Sequence, residues 1–227
     1  MSVSPRQQAD VFGTLQPYVM RVCQGAECGV RFPVAEAAVA YEQCHLCEAP
    51  TVVGARFGNA DGERHDGTTT EPARRSVIAI LDNVRSAMNV GTIIRTADGT
   101  GADTVLMGGI SPAASNPKVM KTALGAEETV QTAHHPNLIP VVDDLIASGV
   151  RVWALESTPT SVALDELDVP PMEHAIAVIV GNEISGVDPD LLARCERHVH
   201  LPMRGVKNSL NVAVAFGTIA WWLQQEA

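Results

Sequence analysis

From Ser76 onward, short β-branched and aliphatic runs alternate with stretches of helical periodicity, and few architectures let a chain patterned this way bury its apolar surface. Val77 to Leu81, Thr104 to Met107, Val150 to Leu155 and Ala175 to Val180 read as buried strands. Between them, Val90 to Thr100, Leu138 to Ser148 and Pro189 to Ala193 read as helices. The alternation predicts an α/β domain, a mostly parallel sheet with helices on both faces. The final run, Leu210 to Gln225, has no proline and carries Leu210, Val214, Gly217, Ile219, Ala220 and Leu223, so it predicts a largely buried closing helix. With 46% hydrophobic and 19% charged residues, the chain has enough apolar surface to fold.

Upstream of this pattern, Gly58 to Arg75 is nearly free of large apolar residues and rich in Gly, Thr and charge, as a linker is. The sequence thus divides into residues 1–57, a linker over 58–75 and a main domain over 76–227. No stretch approaches 18 consecutive apolar residues, and Pro5, Arg6, Asp10 and Pro17 interrupt the N-terminus, so the sequence predicts a soluble cytoplasmic protein without a membrane span. The 26 acidic and 16 basic residues give a net charge of −10, with both halves acidic. A uniformly basic nucleic-acid coat is excluded. Only 4% of residues are aromatic, which argues against extended base-stacking platforms.

Four of the five cysteines, Cys23, Cys28, Cys44 and Cys47, fall in one segment with the spacing Cys-x4-Cys-x15-Cys-x2-Cys. Two close pairs separated by a loop can present four thiolates tetrahedrally to Zn²⁺, and a reducing cytosol favours metal over disulfides. Gly29, after the second cysteine, suits a knuckle turn with positive φ. With every coordination position filled, such a zinc is structural. His45 reads as a solvated knuckle residue and Cys195 as a packing residue.

Asp98-Gly99-Thr100-Gly101 follows a helical pattern and precedes a strand, the reverse of a dinucleotide-binding turn, so it reads as a helix C-cap. No G-x-G-x-x-G and no P-loop occur. Three other segments set polar residues and glycines at strand or helix ends, beyond what core packing requires. The first is Asn89-Val90-Gly91-Thr92-Ile93-Ile94-Arg95-Thr96-Ala97, in which Gly91 and Arg95 share a helix face and the missing side chain leaves room for a ligand beside the guanidinium. The second, Val180-Gly181-Asn182-Glu183-Ile184-Ser185-Gly186-Val187, sets glycines around a carboxylate six residues ahead of the next helix, too far for a capping box. The third runs from Leu201-Pro202-Met203 through Arg204 and Lys207 to Ser209-Leu210-Asn211, where Ser209 reads as the N-cap and Asn211 falls inside the first turn.

In this order the blocks resemble the three signature motifs of the SpoU (TrmH-like) branch of the SPOUT superfamily of RNA methyltransferases. The resemblance covers residues 76–227. It implies an α/β fold with a C-terminal trefoil knot, S-adenosylmethionine held by the knotted loops, a homodimer, and methylation of a ribose 2′-hydroxyl in tRNA or rRNA, with DNA not expected as a partner. Residue by residue, it implies cofactor contacts at Gly181, Leu201, Met203 and Leu210, a catalytic arginine at Arg95, and site-shaping polar groups at Asn89, Glu183, Ser209 and Asn211. The N-terminal cysteines resemble a zinc ribbon, a module found both on RNA and on proteins. The alternative is a non-catalytic RNA-binding or ribosome-assembly protein that keeps the fold.

Overall fold

The computed structural model describes residues 18–36, 42–56 and 74–225. The chain divides into two compact units, Met1–Thr69 and Thr70–Ala227. Of the expected linker, only Arg74 and Arg75 lie among the described residues.

The first unit is a three-stranded antiparallel sheet of β1 (Tyr18–Cys23), β2 (Arg31–Ala35) and β3 (Thr51–Arg56), with β1 in the middle. Val19 and Val34 face each other across the β1–β2 pair, and both are buried together with Cys23 and Cys44. So small an apolar core among the described residues needs a further constraint to hold it folded.

The second unit runs β4 (Val77–Asp82), α1 (Ala87–Thr100), β5 (Thr104–Gly108), α2 (Pro117–Ala123), β6 (Gln131–His135), α3 (Ile139–Ala147), β7 (Arg151–Leu155), β8 (Val162–Ala163), β9 (Ile176–Val180), α4 (Pro189–Leu192), β10 (Arg197–His200) and α5 (Val212–Leu223). The sheet order is β6-β5-β4-β9-β7-β10-β8, and every pairing is parallel. Because side chains alternate across a strand, successive residues of β4 and β9 serve opposite layers. Ala79, Leu81, Val178 and Val180 pack with Ile93, Ile94, Phe216 and Ile219 of α1 and α5. Ile80, Ala177 and Ile179 pack with Val142 of α3 and Leu191 of α4. No helix among the described residues is long and apolar enough to cross a membrane.

Local chemistry explains where the elements depart from expectation. The Ser86 hydroxyl accepts from Asn89 N, so α1 starts at Ala87 and not at Val90. Gly101 closes it with φ 73°, the expected C-cap. Asn211, not Ser209, caps α5, its side chain accepting from Ala213 N, so this helix starts at Val212. Gly91 does not open room for a ligand: a Cβ there would lie 2.0 Å from Thr122 Oγ1 and 2.4 Å from Val119 O, so its role is the close approach of α1 to α2.

Two topological features position the site. The order of strands reverses between β4 and β9, and open parallel sheets bind ligands beyond the strand C-termini at such a point. Strand β10 lies between β7 and β8, and Val199 is level with both Leu155 and Val162. The connection over residues 156–161 therefore arches across β10, and the chain leaving His200 runs on past it. This is the crossing that a C-terminal knot requires.

Candidate active site

Four connections meet at the C-terminal edge of the sheet: residues 83–86 after β4, 156–161 after β7, 181–188 after β9 and 201–211 after β10. The last three surround a cleft of ≈ 970 Å³ whose lining includes Gly181, Glu183, Leu201, Met203, Ser209, Leu210 and Asn211, and the first meets its rim where Arg85 N and Ser86 N bond Glu183. Seven of the nine non-metal residues singled out in the sequence thus face one cavity. Asn89 reaches it through hydrogen bonds. Arg95 is exposed, lies outside the lining and makes no hydrogen bond or ion pair among the described residues. It stands six residues beyond Asn89, about 9 Å further along the helix axis.

One hydrogen-bonded network joins the three blocks. The Glu183 carboxylate accepts from Arg85 N at 3.0 Å, Ser86 N at 3.2 Å and Asn89 Nδ2 at 2.9 Å. Asn89 Oδ1 in turn accepts from Asn211 Nδ2 at 3.1 Å. Partial burial alone would raise the Glu183 carboxyl, but the N–H groups of Arg85, Asn89 and Ser86 hold it below its ordinary value. Glu183 is therefore an ionised clamp on the entrance to α1, and α4 has its own cap in Asp188.

The glycines of the second block have separate reasons. Asn182 and Gly186 exchange backbone hydrogen bonds of 3.1 and 3.0 Å, which folds the loop back on itself. A Cβ on Gly181 would lie 2.3 Å from the Gly186 carbonyl carbon. Gly186 has φ 75°, in the left-handed region that favours glycine. The turn is also braced from below: Asp188 N donates to the buried carboxylate of Asp82 at 2.7 Å, and Asn182 Nδ2 donates to Asn83 O at 2.8 Å. Burial pushes the Asp82 carboxyl up despite the donors it accepts from, Asp188 N and Asn83 Nδ2.

Sequence reasoning missed Glu156 and Asp82 at this site, and gave no separate role to Asn182 within the second block. Each lies at or just past the C-terminal end of a buried strand, which is the signal that could have found them.

In the first unit, the four cysteine Sγ atoms lie within 4.8 Å of one another. Cys23 and Cys47 are 3.4 Å apart and Cys28 and Cys44 are 3.8 Å apart. A tetrahedron with Zn–S of about 2.3 Å has S···S of about 3.8 Å, so the set fits zinc. Gly25 N and Leu46 N donate to Cys23 Sγ and Cys44 Sγ, and the Leu46 N–H lowers the Cys44 thiol to about 7. Gly29 and Glu48 follow the two pairs with φ 57° and 60°, giving two equivalent knuckles.

A parallel α/β sheet with a cleft beyond the C-terminal ends of β7, β9 and β10, lined by the second and third polar blocks and tied to the first through Asn89, defines an enzyme-like binding fold. Residues 76–221 match the model of the SpoU rRNA Methylase family, and the chain belongs to that family. It is 35% identical over 147 residues to the 23S rRNA (guanosine(2553)-2'-O)-methyltransferase of Bacillus subtilis, covering 65% of this chain and 57% of that protein. The chain therefore matches little more than half the length of this curated relative. Its fold is similar to that of an AdoMet-bound rRNA methyltransferase from Sinorhizobium meliloti, with TM-score 0.60, 27% identity and coverage of 66% of this chain and 56% of that one. It is also similar to the A. aeolicus TrmH/SpoU tRNA modifying enzyme, with TM-score 0.60, 25% identity and coverage of 68% and 76%.

Proposed function

We propose that this chain is an S-adenosylmethionine-dependent RNA methyltransferase that methylates a ribose 2′-hydroxyl in tRNA or rRNA. The observation that carries this reading is the network in which Glu183, Asn89 and Asn211 join three sequence blocks at one cleft. Family membership and the AdoMet-bound relative support it.

On this reading Gly181, Leu201, Met203 and Leu210 hold the cofactor. When bound, it supplies an electrophilic methyl group on a sulfonium. The protein's task is alignment, which contributes up to about 7–11 kcal/mol in well-oriented systems. Ser209 and Asn211 orient the ribose at the cleft. Arg95, on the exposed face of α1, binds the phosphate beside the target nucleotide and polarises the 2′-OH. A guanidinium offers hydrogen-bond donors and no acceptor, so the proton leaves to phosphate or water. Cys23, Cys28, Cys44 and Cys47 hold a structural Zn²⁺. Val214 and Trp221 leave an exposed apolar strip on α5, which suits a homodimer.

Transfer of labelled methyl from S-adenosylmethionine to total RNA tests the reaction. The expected product is a 2′-O-methylnucleoside, lost at one position in RNA from a strain lacking the protein. Cofactor binding without transfer to any RNA would instead identify a non-catalytic RNA-binding protein. Arg95→Lys should reduce turnover at least tenfold, and near-normal turnover would remove the forked phosphate contact from the mechanism.

A further inference from the structure

The loop over residues 181–188 is braced on the β4 side by Asp82 and Asn83. On the opposite side, the brace is Glu156, the first residue after β7. Its Oε2 accepts from Val187 N at 3.1 Å while its Oε1 accepts from Ser157 N at 3.0 Å. A Cβ on Gly186 would lie 2.6 Å from Oε2, so the carboxylate rests directly against the glycine backbone.

Glu156 is itself held. Its N–H donates to Val199 O at 2.9 Å, and the arch it begins is stapled to β10 by Thr158 Oγ1 and Ser161 Oγ, each 3.0 Å from the Nδ1 of His198 and of His200. The carboxylate thus joins two walls of the same cleft, the arch and the glycine loop.

Building on the cofactor reading of this cleft, we propose that Glu156 is a positioning residue for the methyl donor. It fixes the backbone of residues 181–187 in the shape that meets the cofactor, and it acts through binding without taking part in methyl transfer. A carboxylate suits the place because both oxygens face backbone donors. Glutamine has one acceptor oxygen and would set its NH₂ against a backbone N–H.

Glu156→Gln and Glu156→Ala should raise both the Kd and the KM for S-adenosylmethionine about tenfold, as loss of one hydrogen bond to a charged group implies. Their kcat at saturating cofactor should stay within about threefold of wild type. Gly186→Ala should give the same split by displacing the carboxylate. Isothermal titration and steady-state kinetics on the full chain measure these values, with thermal unfolding confirming that each variant is folded. A folded Glu156→Gln with unchanged KM, or with kcat reduced at unchanged KM, overturns the positioning role and leaves the cofactor reading intact. Failure of the wild type to bind S-adenosylmethionine overturns both.

Discussion

Glu183 accepts hydrogen bonds from two backbone N–H groups and one side-chain amide, so its carboxylate is already engaged before any substrate arrives. Its pKa is lowered in the folded state, so its stabilising contribution is full above the unfolded value and is lost as pH falls through the folded one. Because Glu183 is exposed, the contribution is small, about 0.5–1 kcal/mol. Glu183→Gln should lower Tm by about 1–4 °C at pH 7. That gap should close on acidification below the ordinary carboxylate value of 4.5, as thermal unfolding across pH would show. Arg75 is the opposite case, a fully buried cation whose donors go to the carbonyls of Leu223, Pro170, Pro171 and His174. Leu223 ends α5, where the helix dipole favours positive charge. Gln224 completes the join, bonding Arg75 N at 3.0 Å and Arg75 O at 3.1 Å. Lysine keeps the charge but cannot reach several carbonyls from one planar group. Arg75→Lys should therefore cost about 3 kcal/mol and lower Tm by about 6 °C or more, measured by calorimetry.

Among the elements, α1 carries the most constraints, because it packs on α2 and α5 while its entrance is tied to Glu183. Gly91→Ala would drive a Cβ into Val119 O, which only a shift of α2 relieves, so it should cost about 1–3 kcal/mol by chemical denaturation. The strands legible in the sequence were those with continuous apolar runs: β4, β5, β7 and β9 lie in the sheet's interior and were placed within a residue or two. Strand β6, with the sequence Gln-Thr-Ala-His-His, is an edge strand with no buried residue, and β10 buries Val199 alone. Neither has an apolar run to read, and both owe their conformation to pairing partners distant in sequence. The cleft residues were legible because three blocks resembled a family pattern. Glu156 was not, since a carboxylate after a strand looks like a surface residue until the arch brings Val187 to it. The same blindness turned Gly91 into apparent ligand room, because the sequence carries no sign that Thr122 stands opposite it.

At the scale of the whole molecule, the two units rest on different kinds of stability. Among its described residues the first buries few large apolar side chains around its cysteines, so metal binding and folding should be one event there. A strong chelator should release one zinc per chain and abolish the first unit's protection from amide exchange, while the second unit's amides keep theirs. The charge distribution supplies the remaining test. The chain carries −10 overall, yet Arg85, Arg95, Arg204 and Lys207 are exposed on α1's entrance, α1 and the connection over residues 201–211. Among the described residues Arg204 has only a long ion pair, with Asp165 at 3.9 Å, which an RNA phosphate can replace. Affinity built on about four phosphate contacts gives a slope of log K against log salt of about −3 to −4 per bound chain, whereas a broad basic surface gives a much steeper one. Arg95→Ala should make that slope shallower by about one, and a salt titration of RNA binding by fluorescence anisotropy measures both. A slope unchanged by Arg95→Ala would mean that this arginine does not meet RNA phosphate. The catalytic role proposed for it would then lose its physical basis, even if the cofactor cleft performs as described.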